Sequence, residues 1–151
     1  EPHFKIINLS EMIERALIAA SAFPGFATIH IRKSIPEQMM LSSDELLLSQ
    51  VILNLLKNAS EALINENTID PFISLNLRQQ GNAFRIEIAN NGPQIPPEIK
   101  EQIFVPFFTT KENGSGIGLS LSRQIILQMG GDITLSNGKD GLTTFLIMIN
   151  G

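Results

Sequence analysis

The run Phe72-Ile73-Ser74-Leu75-Asn76-Leu77-Arg78-Gln79-Gln80, then Gly81-Asn82, then Ala83-Phe84-Arg85-Ile86-Glu87-Ile88-Ala89-Asn90 decides the fold class of this chain. Two strand-like runs meet at a Gly-Asn pair suited to a tight hairpin, so they are expected to be antiparallel neighbours. A second hairpin is expected near the C-terminus, where Ile133 to Ser136 and Thr143 to Ile149 flank Asn137-Gly138-Lys139-Asp140-Gly141. Strands that follow one another directly argue against doubly wound alternation. They argue for an α+β fold, a two-layer α/β sandwich with a mixed, mainly antiparallel sheet and the helices on one face.

Helical patterns lie on either side of this hairpin. Ser10 before Glu11-Met12-Ile13-Glu14 reads as a helix N-cap, with Ile13, Leu17 and Ala20 continuing at helical spacing until Pro24-Gly25. From Ala27 to Ser34 the chain alternates, which predicts a half-buried strand with His30 pointing out. A long helix is expected from about Asp44 to Leu63, capped from Ser43 or Asp44 and carrying Leu47, Val51, Leu55 and Ala59 on one stripe. The glycine- and proline-rich stretch from Asn91 to Gly116 is long for a connection and reads as a functional lid, with a short helix at Pro97 to Ile103. Helical spacing returns from Ile117 to Met129 and stops at Gly130-Gly131.

Composition narrows the function classes. The chain has 151 residues, of which 43% are hydrophobic and 17% charged, the balance of one folded domain. A net charge of −4 supplies no basic field for a nucleic-acid backbone or an anionic lipid surface, so neither is expected as a partner. Any phosphate site has to be built locally. The absence of cysteine excludes disulfides and thiolate metal sites. No apolar run reaches the ~20 residues needed to span a bilayer, and no charged-then-apolar leader is expected from the residues at Glu1-Pro2-His3. The chain is expected to be a soluble piece, residues 1–151, of a longer protein.

Two features carry chemistry. Asn54 and Asn58 stand one helical turn apart on the same face of a mainly apolar helix, among Leu53, Leu56 and Leu63. Buried amides need partners, which a neighbouring backbone group, a cation or a phosphate can supply. Gly114-Ser115-Gly116-Ile117-Gly118-Leu119 opens a helix, where glycines admit close backbone approach and unpaired N–H groups favour negative charge. It follows no predicted strand and lacks a Gly-Lys-Ser/Thr ending, so neither a dinucleotide fold nor a P-loop is supported. A glycine-rich hinge is the other reading of this run.

Taken together and in order, the segments resemble one family. Gln50-Val51-Ile52-Leu53-Asn54-Leu55-Leu56-Lys57-Asn58-Ala59 resembles the asparagine box of histidine kinases, and Asn90-Asn91-Gly92-Pro93-Gln94-Ile95-Pro96 their first glycine box. Phe104-Val105-Pro106-Phe107-Phe108-Thr109-Thr110-Lys111 resembles their phenylalanine box, and Gly114 to Leu119 their second glycine box. Gly130-Gly131-Asp132-Ile133 and Thr143-Thr144-Phe145 look like the closing signature. The resemblance covers essentially the whole chain and implies the Bergerat fold. It also implies ATP and Mg²⁺ as cofactors. By position, Asn58 would ligate Mg²⁺, with Asn54 beside it and Lys111 and Lys57 neutralising phosphate charge. Asn90 would read the adenine, with Gly92, Gln94 and Ile95 around it and Thr143 supporting that end. Gly114, Ser115, Gly116, Ile117, Gly118 and Leu119 would cradle the phosphates.

In the hydrolytic branch of that superfamily a glutamate stands four residues before the metal asparagine; here Asn54 stands there, and an amide cannot act as a general base. Phosphoryl transfer to histidine is therefore favoured over hydrolysis. The departures from the family pattern are Asn90 for the adenine-reading aspartate, Gln94 for a glycine, Val105 for a glutamate and Leu142 for a glycine. They bear on nucleotide affinity and selectivity. Neither His3 nor His30 has the surroundings of the family's phosphoacceptor, which is expected on an upstream dimerising helical domain of a homodimeric parent. A response regulator is expected downstream, with the domain in the cytoplasm and a parent that could be anchored in the inner membrane. Two other readings remain: a nucleotide-sensing or scaffolding module without kinase activity, motivated by Asn90 and Gln94, and a serine-directed kinase of the anti-sigma type.

Overall fold

The first helix starts from a residue other than the expected one. Asn8 closes strand β1 (Lys5–Asn8), and its Oδ1 accepts from the Ser10 N–H at 3.2 Å, capping α1 (Leu9–Ala20). Ser10, the predicted cap, is buried inside the first turn, and its Oγ has no hydrogen-bond partner among the described residues. The computed structural model describes residues 1–108, 118–137 and 140–150.

The strand expected from Ala27 is shorter than its alternation suggested. The N–H and hydroxyl of Thr28 both donate to the Gly25 carbonyl, at 3.0 and 2.7 Å, winding Phe26–Thr28 into a 3-10 turn. The strand proper, β2, is His30–Ser34, with His30 exposed as expected. Sequence reading missed β1 and β3 (Met40–Ser43), which pair antiparallel in a small separate sheet. Four-residue strands are too short for alternation to stand out. The Asn8 oxygen also accepts from the Met39 N–H at 3.2 Å, so one side chain joins the start of α1 to the approach to β3.

The long helix is α2 (Glu45–Asn65), capped by Asp44, whose Oδ1 accepts from the Leu47 N–H at 3.0 Å. Its Oδ2 accepts from the His3 N–H at 2.8 Å. These bonds, that from His3 first and that from Leu47 second, hold the carboxyl below its ordinary range. Leu48, Val51, Ile52, Leu55, Leu56, Ala59 and Leu63 form the buried stripe of α2. No helix among the described residues is long and apolar enough to cross a membrane.

The main sheet has five strands in the order β2-β4-β5-β7-β6, with β4 (Phe72–Gln80), β5 (Ala83–Asn90), β6 (Asp132–Asn137) and β7 (Thr143–Asn150). β2 runs parallel to β4 and every other pair is antiparallel, which is the mixed, mainly antiparallel sheet expected. The Phe72–Asn90 hairpin pairs Gln80 with Ala83 across Gly81-Asn82, as predicted. Register lines up buried rows across the strands: Leu75, Ile88, Phe145 and Leu135 in one, Leu77, Ile86, Ile147 and Ile133 in the next. Over these rows lie the helices: α2 packs on β4 and β5, α1 on α2, and α3 (Gly118–Gln128) on α2 and β6. Asn76 and Arg78 of β4 and Glu87 of β5 occupy the opposite face.

Two further departures concern the loop after β5 and the end of α3. Instead of one short helix at Pro97 to Ile103, the chain makes two 3-10 turns, Pro97–Ile99 and Gln102–Phe104. At the far end, Gly130 takes a left-handed φ of 83° and stops α3. Gly131 then passes so close to β7 that a Cβ there would lie 2.0 Å from the Met148 carbonyl oxygen.

Candidate functional site

The site is built outward from α2. Asn54 and Asn58 sit half-buried on one side of the helix, flanked by the buried Val51, Leu55 and Ala59, while Lys57 is exposed at the edge of the same stripe. Asn54 Nδ2 donates to Ser122 Oγ at 3.1 Å, joining α2 to α3. A Cβ on Gly118 would lie 2.6 Å from Asn54 Oδ1, so the first residue of α3 can approach that amide only as glycine. Gln50, Asn54, Gly118, Leu121, Ser122 and Ile125 line a cavity of about 100 Å³ here. Asn58 also interacts with its surroundings. Among the described residues no group of three or more His, Cys, Asp or Glu side chains could hold a metal.

The second part lies at the end of β5. Asn90 and Thr143 are directly paired across β5 and β7, on the helix-facing side of the sheet, and are only 4% and 3% exposed. The chain turns sharply after Asn90, whose Oδ1 accepts from the Gly92 N–H at 2.8 Å. A Cβ on Gly92 would fall 2.9 Å from that oxygen and 3.5 Å from Leu63 Cδ2, so glycine is needed for the turn to close against α2. Thr143 Oγ1 donates to the Pro93 carbonyl at 3.3 Å, securing the same turn from the other strand. Asn91 ties the start of β4 to the end of β5, since its Oδ1 accepts from the Phe72 N–H at 2.8 Å and its Nδ2 donates to the Asp70 carbonyl at 3.1 Å. Ile95 is half-buried against the core, and Gln94 is exposed.

A third cluster anchors the loop to α3. Arg123 Nε donates to Asp132 Oδ1 at 2.9 Å, and the guanidinium lies 5.2 Å from the centroid of Phe104. Phe104 in turn meets Phe145 edge-on at 6.4 Å. The bond from Arg123 holds the Asp132 carboxyl below its usual range, and the same bond raises Arg123 further. Lys100, Glu101, Phe104, Arg123, Ile133, Thr134 and Leu135 line a cavity of about 180 Å³ beside it.

Of the predicted residues, Asn54 and Gly118 meet at the α2–α3 contact, and Asn90, Gly92 and Thr143 meet at the sheet end, while Asn58 stands one turn along α2 from Asn54 and Leu119 and Ile95 are partly buried against the core. Lys57 and Gln94 point to solvent rather than into either group. Lys111, Gly114, Ser115, Gly116 and Ile117 lie outside the described residues. Sequence reasoning missed Ser122 and the Arg123–Asp132–Phe104 cluster. Ser122 stands one helical turn after Gly118, which is legible, but its partner lies 68 residues away.

Comparison with known proteins gives a consistent answer. A family model for histidine kinase-, DNA gyrase B-, and HSP90-like ATPase matches residues 43–150. The C4-dicarboxylate transport sensor protein DctB of Rhizobium meliloti (strain 1021) is 33% identical over 140 residues, covering 92% of this chain and 22% of that protein. The sensory histidine kinase/phosphatase NtrB of Rhodobacter capsulatus is 33% identical over 157 residues, covering 98% of this chain and 44% of that protein. The chain therefore spans less than half the length of these curated relatives. The catalytic domain of histidine kinase ThkA superposes with a TM-score of 0.85 at 31% identity, covering 98% of this chain and 95% of that one. ThkA solved in complex with the response regulator protein TrrA superposes at 0.83 and 30% identity, covering 99% of this chain and 42% of that one.

Proposed function

The chain belongs to the histidine kinase-, DNA gyrase B-, and HSP90-like ATPase family, and we propose that it is the phosphoryl-donating domain of a longer sensor histidine kinase. It binds MgATP and passes the γ-phosphoryl group to a histidine on a separate dimerisation and phosphoacceptor domain of a homodimeric parent. The observation that carries this reading is the chemistry at residue 54. The side chain one turn before Asn58 is an amide tied to Ser122, so the position where a water-activating base would act holds none.

Asn58 would hold Mg²⁺ through its amide oxygen, and the ion, when bound, would neutralise charge on the triphosphate. What is left to the protein is positioning. Asn54 is fixed between α2 and α3, and the turn at Gly92 is fixed by Asn90 and Thr143. As the bond from the γ-phosphorus to the β–γ bridging oxygen breaks, leaving ADP, the phosphorus bonds to the acceptor imidazole nitrogen in line with it.

A response regulator is the proposed downstream partner, supported by the ThkA complex. A cytoplasmic placement of the domain goes with this reading. The deciding experiment mixes this chain with γ-labelled ATP, Mg²⁺ and a separately produced acceptor-helix domain. Label should move to the acceptor, while the chain alone neither labels itself nor hydrolyses ATP appreciably. Rapid hydrolysis by the chain alone would contradict the assignment.

A further inference from the structure

Asn90 offers its surroundings an amide, and which end of that amide is available is decided by Gly92. The Gly92 N–H is a donor, and at 2.8 Å it requires an oxygen opposite it. Oδ1 is therefore committed to the turn, and the orientation of the amide follows from chemistry rather than from shape. What remains is Nδ2, which carries two donors and makes no hydrogen bond to a described residue, although Asn90 is buried. Beside it, the Thr143 hydroxyl has its proton committed to the Pro93 carbonyl and is left with acceptor capacity. The pair thus offers a donor from β5 next to an acceptor from β7, at directly opposed positions of the sheet.

Resting on the nucleotide-site reading above, we infer that this site is selective for nucleotides of 6-oxopurines, guanine or hypoxanthine, over adenine. A 6-oxopurine carries an acceptor at O6 and a donor at N1–H, the complement of Asn90 Nδ2 and Thr143 Oγ1. Adenine carries the reverse, a donor amino group at position 6 and an acceptor at N1. Facing Asn90, that amino group meets another donor, and a buried donor left unpaired is what discriminates strongly in sites of this kind. An aspartate at position 90 would have kept one oxygen on Gly92 and presented the other as an acceptor. The substitution to asparagine thereby reverses the sense of the reading group.

Binding of the Mg²⁺ complexes of ATP, ITP and purine riboside triphosphate, which lacks any group at position 6, tests this by calorimetry on the wild-type chain. ITP is expected to bind about tenfold or more tightly than ATP, with purine riboside triphosphate between them. Asn90→Asp, checked for unchanged melting, is expected to invert the order. ATP binding tighter than both other nucleotides in the wild type would overturn the inference. So would an Asn90→Asp variant that melts normally and keeps the wild-type ratio. If the variant does not fold, the three-nucleotide order in the wild type decides alone. Failure of all three to bind would instead refute the nucleotide-site reading, and this inference with it.

Discussion

Replacing Gly118 by alanine tests how α3 positions Asn54. The new Cβ would lie 2.6 Å from Asn54 Oδ1 and 3.1 Å from both its Cγ and its Nδ2, so the amide has to move. With it goes the 3.1 Å bond to Ser122. One neutral hydrogen bond is worth about 0.5–1.5 kcal/mol, and a side chain forced off its rotamer costs about as much again. Alanine in place of glycine returns up to about 1 kcal/mol of helix propensity, less at the first residue of a helix, so the net loss should be near 1 kcal/mol. For a chain of this length that lowers the melting temperature by only about 3 °C. The obstruction is a short, movable side chain, so the larger penalty falls on function: labelling of a separate acceptor domain should drop more than tenfold. Ser122→Ala serves as the control, because it removes the bond without the clash and should reduce labelling far less. Urea unfolding and initial labelling rates measured on both variants decide the matter. Wild-type labelling by Gly118→Ala would refute the proposed role of Asn54, and a melting drop beyond about 10 °C would refute the claim that the side chain yields.

At Gly131 the same substitution should behave in the opposite way, because its Cβ would meet the Met148 backbone oxygen at 2.0 Å and backbone cannot step aside. Gly131→Ala should cost about 3 kcal/mol or more in urea unfolding. Asp44→Ala removes the cap of α2 and should cost about 1–2 kcal/mol at pH 7. The Asp44 carboxyl is held low by the His3 and Leu47 N–H groups, so its contribution is present above the unfolded pKa of about 3.9 and is lost as pH falls through the folded value. Wild type and Asp44→Ala should therefore converge in stability in acid, and parallel acid unfolding curves would count against the cap. Finally, ATP binding measured by calorimetry should weaken strongly without Mg²⁺, and Asn58→Ala should remove most of that Mg²⁺ dependence. Equal affinities in all four conditions would exclude Asn58 as the metal residue.

Wherever structure follows from neighbours in the chain, the sequence was sufficient. The Phe72–Asn90 hairpin was legible because the Gly81-Asn82 turn and the runs beside it are local signals. The bounds of α2, its Asp44 cap and the stop at Gly130 were legible for the same reason. At the first cap, local signals competed: Ser10 and Asn8 both suit a cap, and Asn8 won because its oxygen also serves Met39, 31 residues on. The strands β1 and β3 left no periodic trace, since each is stabilised by pairing with the other rather than by its own pattern. At the site, the residue types could be read off the boxes, but their states could not. Asn54 is held by a serine 68 positions away. The exposed end of the Asn90 amide depends on a turn closing at Gly92 and on a strand that returns at Thr143. A hydrogen bond has a direction and an amide has two unlike ends, so what each group can still offer a ligand is set only after the folded chain has used the other.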